Sequence, residues 1–251
     1  MERVKESKKN WSGIMNVALI LAGGSGTRMG AEVPKQFIKI KGKPIIAYTL
    51  EILEKNHYID AVEIVCVHGF EEHLQEIIAE YDLKKVRWIC EGGPTFSMSV
   101  FNGLKNLRNE VSSDDLLMIH MSVSPFVGDD IIEDAFRVAR EKGNSISENP
   151  CLLCMGSHDN DEYSTKSVIR ETVTGLNTPQ TFRYGELLGL YDRAEAEGVL
   201  EDIEPHTTSL YYYYEKPLFF SKGSQMNIKI TNQDDLDLFE AFCTMKEQRQ
   251  K

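Results

Sequence analysis

Between Leu21 and Phe37 the chain reads LAGGSGTRMGAEVPKQF, with Gly23, Gly24 and Gly26 inside four residues. A single arginine, Arg28, follows, and Lys35 comes seven residues later. Glycines leave backbone N–H groups uncovered, so such a run can wrap an anion. Two cations at this spacing can neutralise the charge that grows on a phosphate as it is attacked. Three kinds of loop compete for the stretch. A Walker-type phosphate loop ends in Gly-Lys-Ser/Thr, whereas Gly26 is followed by Thr27 and Arg28. A dinucleotide fingerprint is GxGxxG with an acidic residue about twenty positions on. Here Gly24, Gly26 and Gly30 give GxGxxxG, the acidic residue is missing, and Glu51 lies slightly further out. The third use is a loop around a nucleoside triphosphate, with Arg28 and Lys35 facing the phosphates. The bland alternative, a glycine turn with two solvated cations, leaves the joint spacing without a reason.

Such a loop needs a strand before it and a helix after it. NVALI (Asn16–Ile20) is the apolar run that feeds it, and PIIAYTLEILEKN (Pro44–Asn56) has helical apolar spacing. Strand-like runs follow at Ala61–His68, in KKVRWICEGG and in DLLMIHMSVSPFV, and helical ones at Glu71–Asp82, Ser97–Asn109 and Asp129–Gly143. This alternation predicts an α/β fold with a doubly wound, mostly parallel sheet and ligands outside the carboxyl ends of its strands. Asn149–Val173 breaks the pattern with two strand-like pieces around a polar centre, which predicts a projecting β-hairpin arm. TPQTFRYGELLGLYDRAEAEG reads as largely helical, LYYYYEKPLFFSKG as strand-rich, and NQDDLDLFEAFCTMKEQ as a closing helix. Tyr211–Tyr214 could suggest base stacking, but plain packing is the simpler expectation.

With 251 residues and 41% hydrophobic content, the chain can bury one sizeable core. A net charge of −11 argues against a nucleic-acid partner, so an anionic ligand would need a locally basic pocket. Five cysteines form neither a disulfide nor a zinc pattern; Cys151 and Cys154 have CxxC spacing without a second pair. Reduced, buried thiols in a cytoplasmic protein are expected. The opening MERVKESKKNWSG has no signal-peptide core, and no apolar run is long enough to span a membrane. Residues 1–15 are expected to be a disordered leader, with a single domain from 16 to 251 and the arm at about 149–173.

LAGGSGTRMG…PKQF, EGGPTFSMSVFNGL, IHMSVSPFV, TPQTF and GSQMNIKIT, in this order, resemble the motifs of the cytidylyltransferases acting on methylerythritol 4-phosphate and ribitol 5-phosphate. The resemblance implies a Rossmann-like core of nucleotidyltransferase type and a dimerising β-arm. It also implies transfer of CMP from CTP to a phosphorylated polyol, with release of pyrophosphate. By position, Ala22, Gly23, Gly93 and Ser99 fall at the cytosine, and Gly24, Ser25 and Gly26 along the triphosphate. Arg28, Lys35 and Lys229 match the cations around the reacting phosphorus, and Arg170 matches an arginine that reaches the neighbouring subunit's acceptor. Mg²⁺ is expected to be held mainly by the CTP phosphates.

The acceptor half departs from the family's pattern. Where the family has His-Asp-Ala-x-Arg-Pro, this chain has His120-Met121-Ser122-Val123-Ser124-Pro125. Met121 replaces an aspartate near magnesium, and a neutral thioether cannot do its work for a hard cation. Ser124 replaces an arginine near the acceptor. The family's Thr-Asp motif falls near Pro205–Ser209, which puts His206 and Thr207 at the acceptor wall. No protein metal ligand is expected. Either the acceptor half has been rebuilt for another phosphorylated alcohol, or the chain is a nucleotide-binding paralogue acting as a partner or regulator. Three retained cations favour the enzyme.

Overall fold

Apolar residues follow one another so closely along Asn16–Ala22 that this strand has no wet face. Val17, Leu19 and Leu21 enter one hydrophobic cluster, while Ala18, Ile20 and Ala22 enter another. A strand that fills both sides belongs in the middle of a sheet covered on both faces. The computed structural model describes residues 13–24 and 33–249, and in it this strand, β1 (Asn16–Ala22), is central. After it come a small hairpin of β2 (Lys39–Ile40) and β3 (Lys43–Pro44), then α1 (Ile45–Lys55), β4 (Ala61–Cys66), α2 (Glu71–Glu80) and β5 (Val86–Glu91). Next are α3 (Phe96–Asn106), β6 (Leu116–Met121), α4 (Asp129–Lys142), β7 (Asn144–Pro150), β8 (Met155–Gly156) and β9 (Ser167–Val168). The chain ends with β10 (Thr174–Arg183), α5 (Tyr184–Ala196), α6 (Thr207–Tyr213), β11 (Phe220–Ser221) and α7 (Gln233–Arg249).

The main sheet has the order β11-β7-β10-β6-β1-β4-β5. Strands β6, β1, β4 and β5 run parallel, and β10 lies antiparallel to both β6 and β7. The chain moves outward from β1 through β4 to β5 and then returns to β1's other side as β6. That reversal makes a switch point at the carboxyl end of β1, where open α/β sheets leave a crevice. Helices α3, α5 and α6 cover one face and α1, α2 and α4 the other. A third cluster packs α7 against the β2–β3 hairpin, the start of α1 and Val123.

Local chemistry explains the helix ends. Thr95 caps α3 by accepting the Met98 N–H at 3.1 Å. Helix α4 opens with Asp129 and Asp130, closes with Arg140 and Lys142, and stops at Gly143 with φ of 96°. Residues 1–12 of the expected leader lie outside the described residues; Met15 is already buried, and its N–H donates to Asp115 Oδ1 at 2.7 Å.

Three expectations change. TPQTF is the buried end of strand β10, because Gln180 and Phe182 must pair with β6 on one side and β7 on the other. The tyrosine run lies in and just after helix α6: Thr207, Leu210 and Tyr211 are buried at i, i+3 and i+4, a helical stripe. Tyr211 packs on Phe182 at 5.0 Å between centroids, while Tyr212 and Tyr213 are exposed. Cys154 is exposed and Cys151 half-buried, because the arm carries them away from either core. The arm itself has only the short β8–β9 ladder, Met155 opposite Val168. Among the described residues no helix is long and apolar enough to cross a membrane.

Candidate active site

The crevice at the switch point is built from four strand ends. Ala22 closes β1, and its carbonyl accepts from the Val67 N–H at 3.1 Å and from Gln36 Nε2 at 2.7 Å. The same Gln36 amide reaches the Gly24 carbonyl at 3.1 Å. A buried glutamine thus ties the short helical turn Lys35–Phe37 to the mouth of the glycine loop. Ser25, Gly26 and Arg28 lie outside the described residues.

Gly23 meets the loop after β5 at very short range. A Cβ on Gly23 would stand 3.2 Å from Gly92 Cα and 3.3 Å from Ser99 Oγ, and one on Gly93 only 2.5 Å from Met98 Cβ. Two backbones this close leave no room for side chains. Ser99 Oγ accepts the Gly93 N–H at 3.0 Å and lies 3.3 Å from the Gly93 carbonyl. Ala22, Gly23, Gly93 and Ser99 therefore lie together.

A second group of contacts joins distant parts of the sequence. Lys35 Nζ donates to the Ile230 carbonyl at 3.0 Å, across 195 positions, and Lys229 is the next residue back. The Ile230 N–H donates to the Val123 carbonyl at 2.9 Å, which draws in the turn after β6. Asn227 anchors the segment from behind. Its buried amide donates to the Thr178 carbonyl at 2.6 Å, and its own carbonyl accepts from Asn177 at 2.7 Å. Sequence reasoning passed over Gln36 and Asn227, although both stand inside quoted motifs. A buried amide with fixed partners is invisible until the partners are known.

Residues 121–124 form a turn, with the Ser124 N–H donating to the Met121 carbonyl at 3.2 Å. His120 is fully buried, and its Nε2–H donates to the Ser124 carbonyl at 3.1 Å. Burial pushes its pKa down to about 4, so the imidazole is neutral and serves the turn as a fixed donor. Ser124 is buried beneath the turn, and Met121 packs between two hydrophobic clusters. Both nearby aspartates have partners of their own. Asp129 accepts from Asn56 Nδ2 at 2.6 Å, and Asp130 pairs with Lys222 Nζ at 2.6 Å. That lysine's hydrogen bond, against a smaller desolvation cost, holds the Asp130 carboxyl below its usual range.

The remaining acceptor candidates separate. Thr207 is fully buried, and its Oγ1 lies 2.9 Å from Tyr191 Oη, so its hydroxyl faces the core. His206 is half-exposed and packs on Phe96, at the start of α3, with centroids 5.0 Å apart. Arg170 lies in the arm, where it pairs with Glu171 at 3.1 Å and reaches the Leu152 carbonyl at 3.4 Å.

The model of one family, described as IspD, 2-C-methyl-D-erythritol 4-phosphate cytidylyltransferase, matches residues 16–245. A ribitol-5-phosphate cytidylyltransferase of Lacticaseibacillus paracasei is 34% identical over 93% of this chain and 100% of its own length. A 2-C-methyl-D-erythritol 4-phosphate cytidylyltransferase of Clostridium acetobutylicum is 34% identical over 88% of this chain and 94% of its own. The fold is also that of a 4-diphosphocytidyl-2C-methyl-D-erythritol synthase from Anaerococcus prevotii, with a TM-score of 0.78 at 24% identity, covering 92% of this chain and 96% of that one. With one family model spanning residues 16–245 and relatives of 34% identity aligned over 88–93% of its length, the chain belongs to the IspD family of cytidylyltransferases.

Proposed function

We propose that this chain transfers CMP from CTP to a phosphorylated alcohol of the ribitol 5-phosphate kind and releases pyrophosphate. A single observation carries most of the weight: Lys35 and the segment holding Lys229 meet at the Ile230 carbonyl, beside the mouth of the glycine loop. Two cations drawn together from opposite ends of the chain suit a site where negative charge must be gathered. The chemistry asks little else of the protein. An oxygen of the acceptor's phosphate attacks the α-phosphorus of CTP in line; the new P–O bond forms as the α–β bridge breaks, and the electron pair leaves with pyrophosphate. A phosphate monoester is already nucleophilic, so positioning and charge neutralisation are the main demands. Lys35, Lys229 and Arg28 supply the charge, and the wall of Gly23, Gly93 and Ser99 supplies a close, backbone-lined slot for the base.

Met121 offers Mg²⁺ no carboxylate, and Asp129 and Asp130 have other partners. The ion therefore enters as part of the substrate, Mg–CTP. Ribitol 5-phosphate is favoured because relatives bearing that name align over 93–94% of this chain, against 88–91% for the methylerythritol ones. A homodimer is part of the proposal. Leu152, Leu153 and Ile169 are 64%, 74% and 66% exposed, an apolar surface beside Arg170 that a second copy of the arm would cover. Incubation with CTP, Mg²⁺ and either ribitol 5-phosphate or methylerythritol 4-phosphate, with pyrophosphate as the readout, tests the reading. Turnover with the ribitol substrate is expected; tight CTP binding without pyrophosphate from any polyol phosphate would favour the non-catalytic paralogue.

A further inference from the structure

Away from the phosphate-facing cations, one ligating atom from each of His68, Glu71 and Glu91 lies within 4.8 Å of the other two. Three separate elements deliver them. Glu91 ends β5, Glu71 opens α2, and His68 stands two residues beyond β4. The backbone beneath is fixed: β4 and β5 pair in parallel with Cys66 opposite Glu91, and the Gly92 N–H donates to the Cys66 carbonyl at 2.8 Å. His68 Nδ1 and Glu91 Oε1 are 3.1 Å apart. Metal bonds of about 2.0–2.2 Å set neighbouring donor atoms roughly 3 Å apart, so this pair already has the required spacing. Glu71 needs only side-chain rotation to join it. Without a cation between them, two convergent carboxylates repel each other. All three side chains are reached by solvent, which leaves room for water to complete a coordination shell.

We propose that His68, Glu71 and Glu91 bind a divalent first-row transition ion. An imidazole nitrogen favours transition ions such as Zn²⁺ over Mg²⁺ and Ca²⁺, which prefer all-oxygen sites, while the two carboxylates also suit Mn²⁺. The ion would tie the ends of β4 and β5 to the start of α2, next to Phe70. The Phe70 ring stacks on Phe37 at 5.1 Å, two residues from Lys35. The site does not depend on which acceptor the enzyme uses.

The test uses the full chain without nucleotide, with Cys151→Ser and Cys154→Ser in place so that half-buried and exposed thiols cannot capture metal. Mn²⁺ binding is followed by electron paramagnetic resonance and Zn²⁺ binding by calorimetry. One ion per chain is expected, with a higher Tm when it is bound. His68→Ala and Glu91→Gln should each weaken binding about tenfold or more, and circular dichroism should show that both variants remain folded. Binding of undiminished strength in both folded variants, or no binding at millimolar ion, overturns the assignment.

Discussion

In the proposed reaction Arg28 and Lys35 both face the phosphates, and of the two only Lys35 lies among the described residues. Lys35 is held in place by the Ile230 carbonyl, so its charge is preorganised and needs no rearrangement during reaction. Arg28→Ala is expected to lower kcat about 100-fold or more while CTP affinity changes little. Steady-state kinetics with parallel calorimetry separates the two quantities, and equal losses in both would reduce the arginine to a binding residue. Gln36 and Asn227 act one step back, holding the loop mouth and the Lys229 segment where the cations are needed. Both were readable as residues in a motif. Their roles were not, because the carbonyls they bind come from elements far away in the chain.

The glycine contacts belong to the scale of elements, since they set how closely the loop after β1 approaches the loop after β5. Gly93→Ala would push a Cβ into Met98, whose backbone carbon lies 2.8 Å from it and cannot easily yield. A destabilisation of about 1–3 kcal/mol follows for such overpacking, along with weaker CTP binding; a denaturant titration showing unchanged stability would contradict it. The proposal that the arm joins two copies is tested at the same scale. Removing residues 151–173 should give monomers by light scattering, whereas a dimer that persists would place the interface elsewhere. The helices α1 to α4 were legible from the spacing of apolar residues. β10 and α6 were not: in TPQTF the neighbouring strands decide the conformation, and in the tyrosine run the helical stripe of Thr207, Leu210 and Tyr211 is masked by aromatic residues that favour strands.

Two buried titratable groups tie the stability of the whole molecule to pH in opposite directions. Glu63 lies on β4 inside the sheet, and burial pushes its carboxyl up to about 8 despite a hydrogen bond from Asn106. The folded state keeps that proton while the unfolded chain, at 4.5, loses it. This contribution is therefore fully present below pH 4.5, is lost as pH rises to about 8, and is then constant. His120 is the reverse case: with its pKa pushed down to about 4 from 6.5, it costs stability as pH falls through that window. Where the windows overlap the slopes oppose each other, and above pH 6.5 the glutamate acts alone. Between pH 6.5 and 8 its contribution should fall by about 2 kcal/mol. Glu63→Gln, which keeps the acceptor for Asn106, should flatten that part of the profile in chemical denaturation. An unaltered slope in the variant would show that Glu63 is ionised in the folded protein.

The alternation of strands and helices from β1 to α4, and the residue types at Gly23, Gly24, Lys35 and Met121, could be read from the sequence itself, because each depends on local spacing or on the chemistry of one side chain. Tertiary structure alone could bring Lys35 to the Lys229 segment, press Gly23 against Gly92, turn Thr207 into the core and occupy Asp129 and Asp130 with other partners. Those outcomes depend on contacts between residues tens to hundreds of positions apart, and their geometry exists only once the sheet has closed.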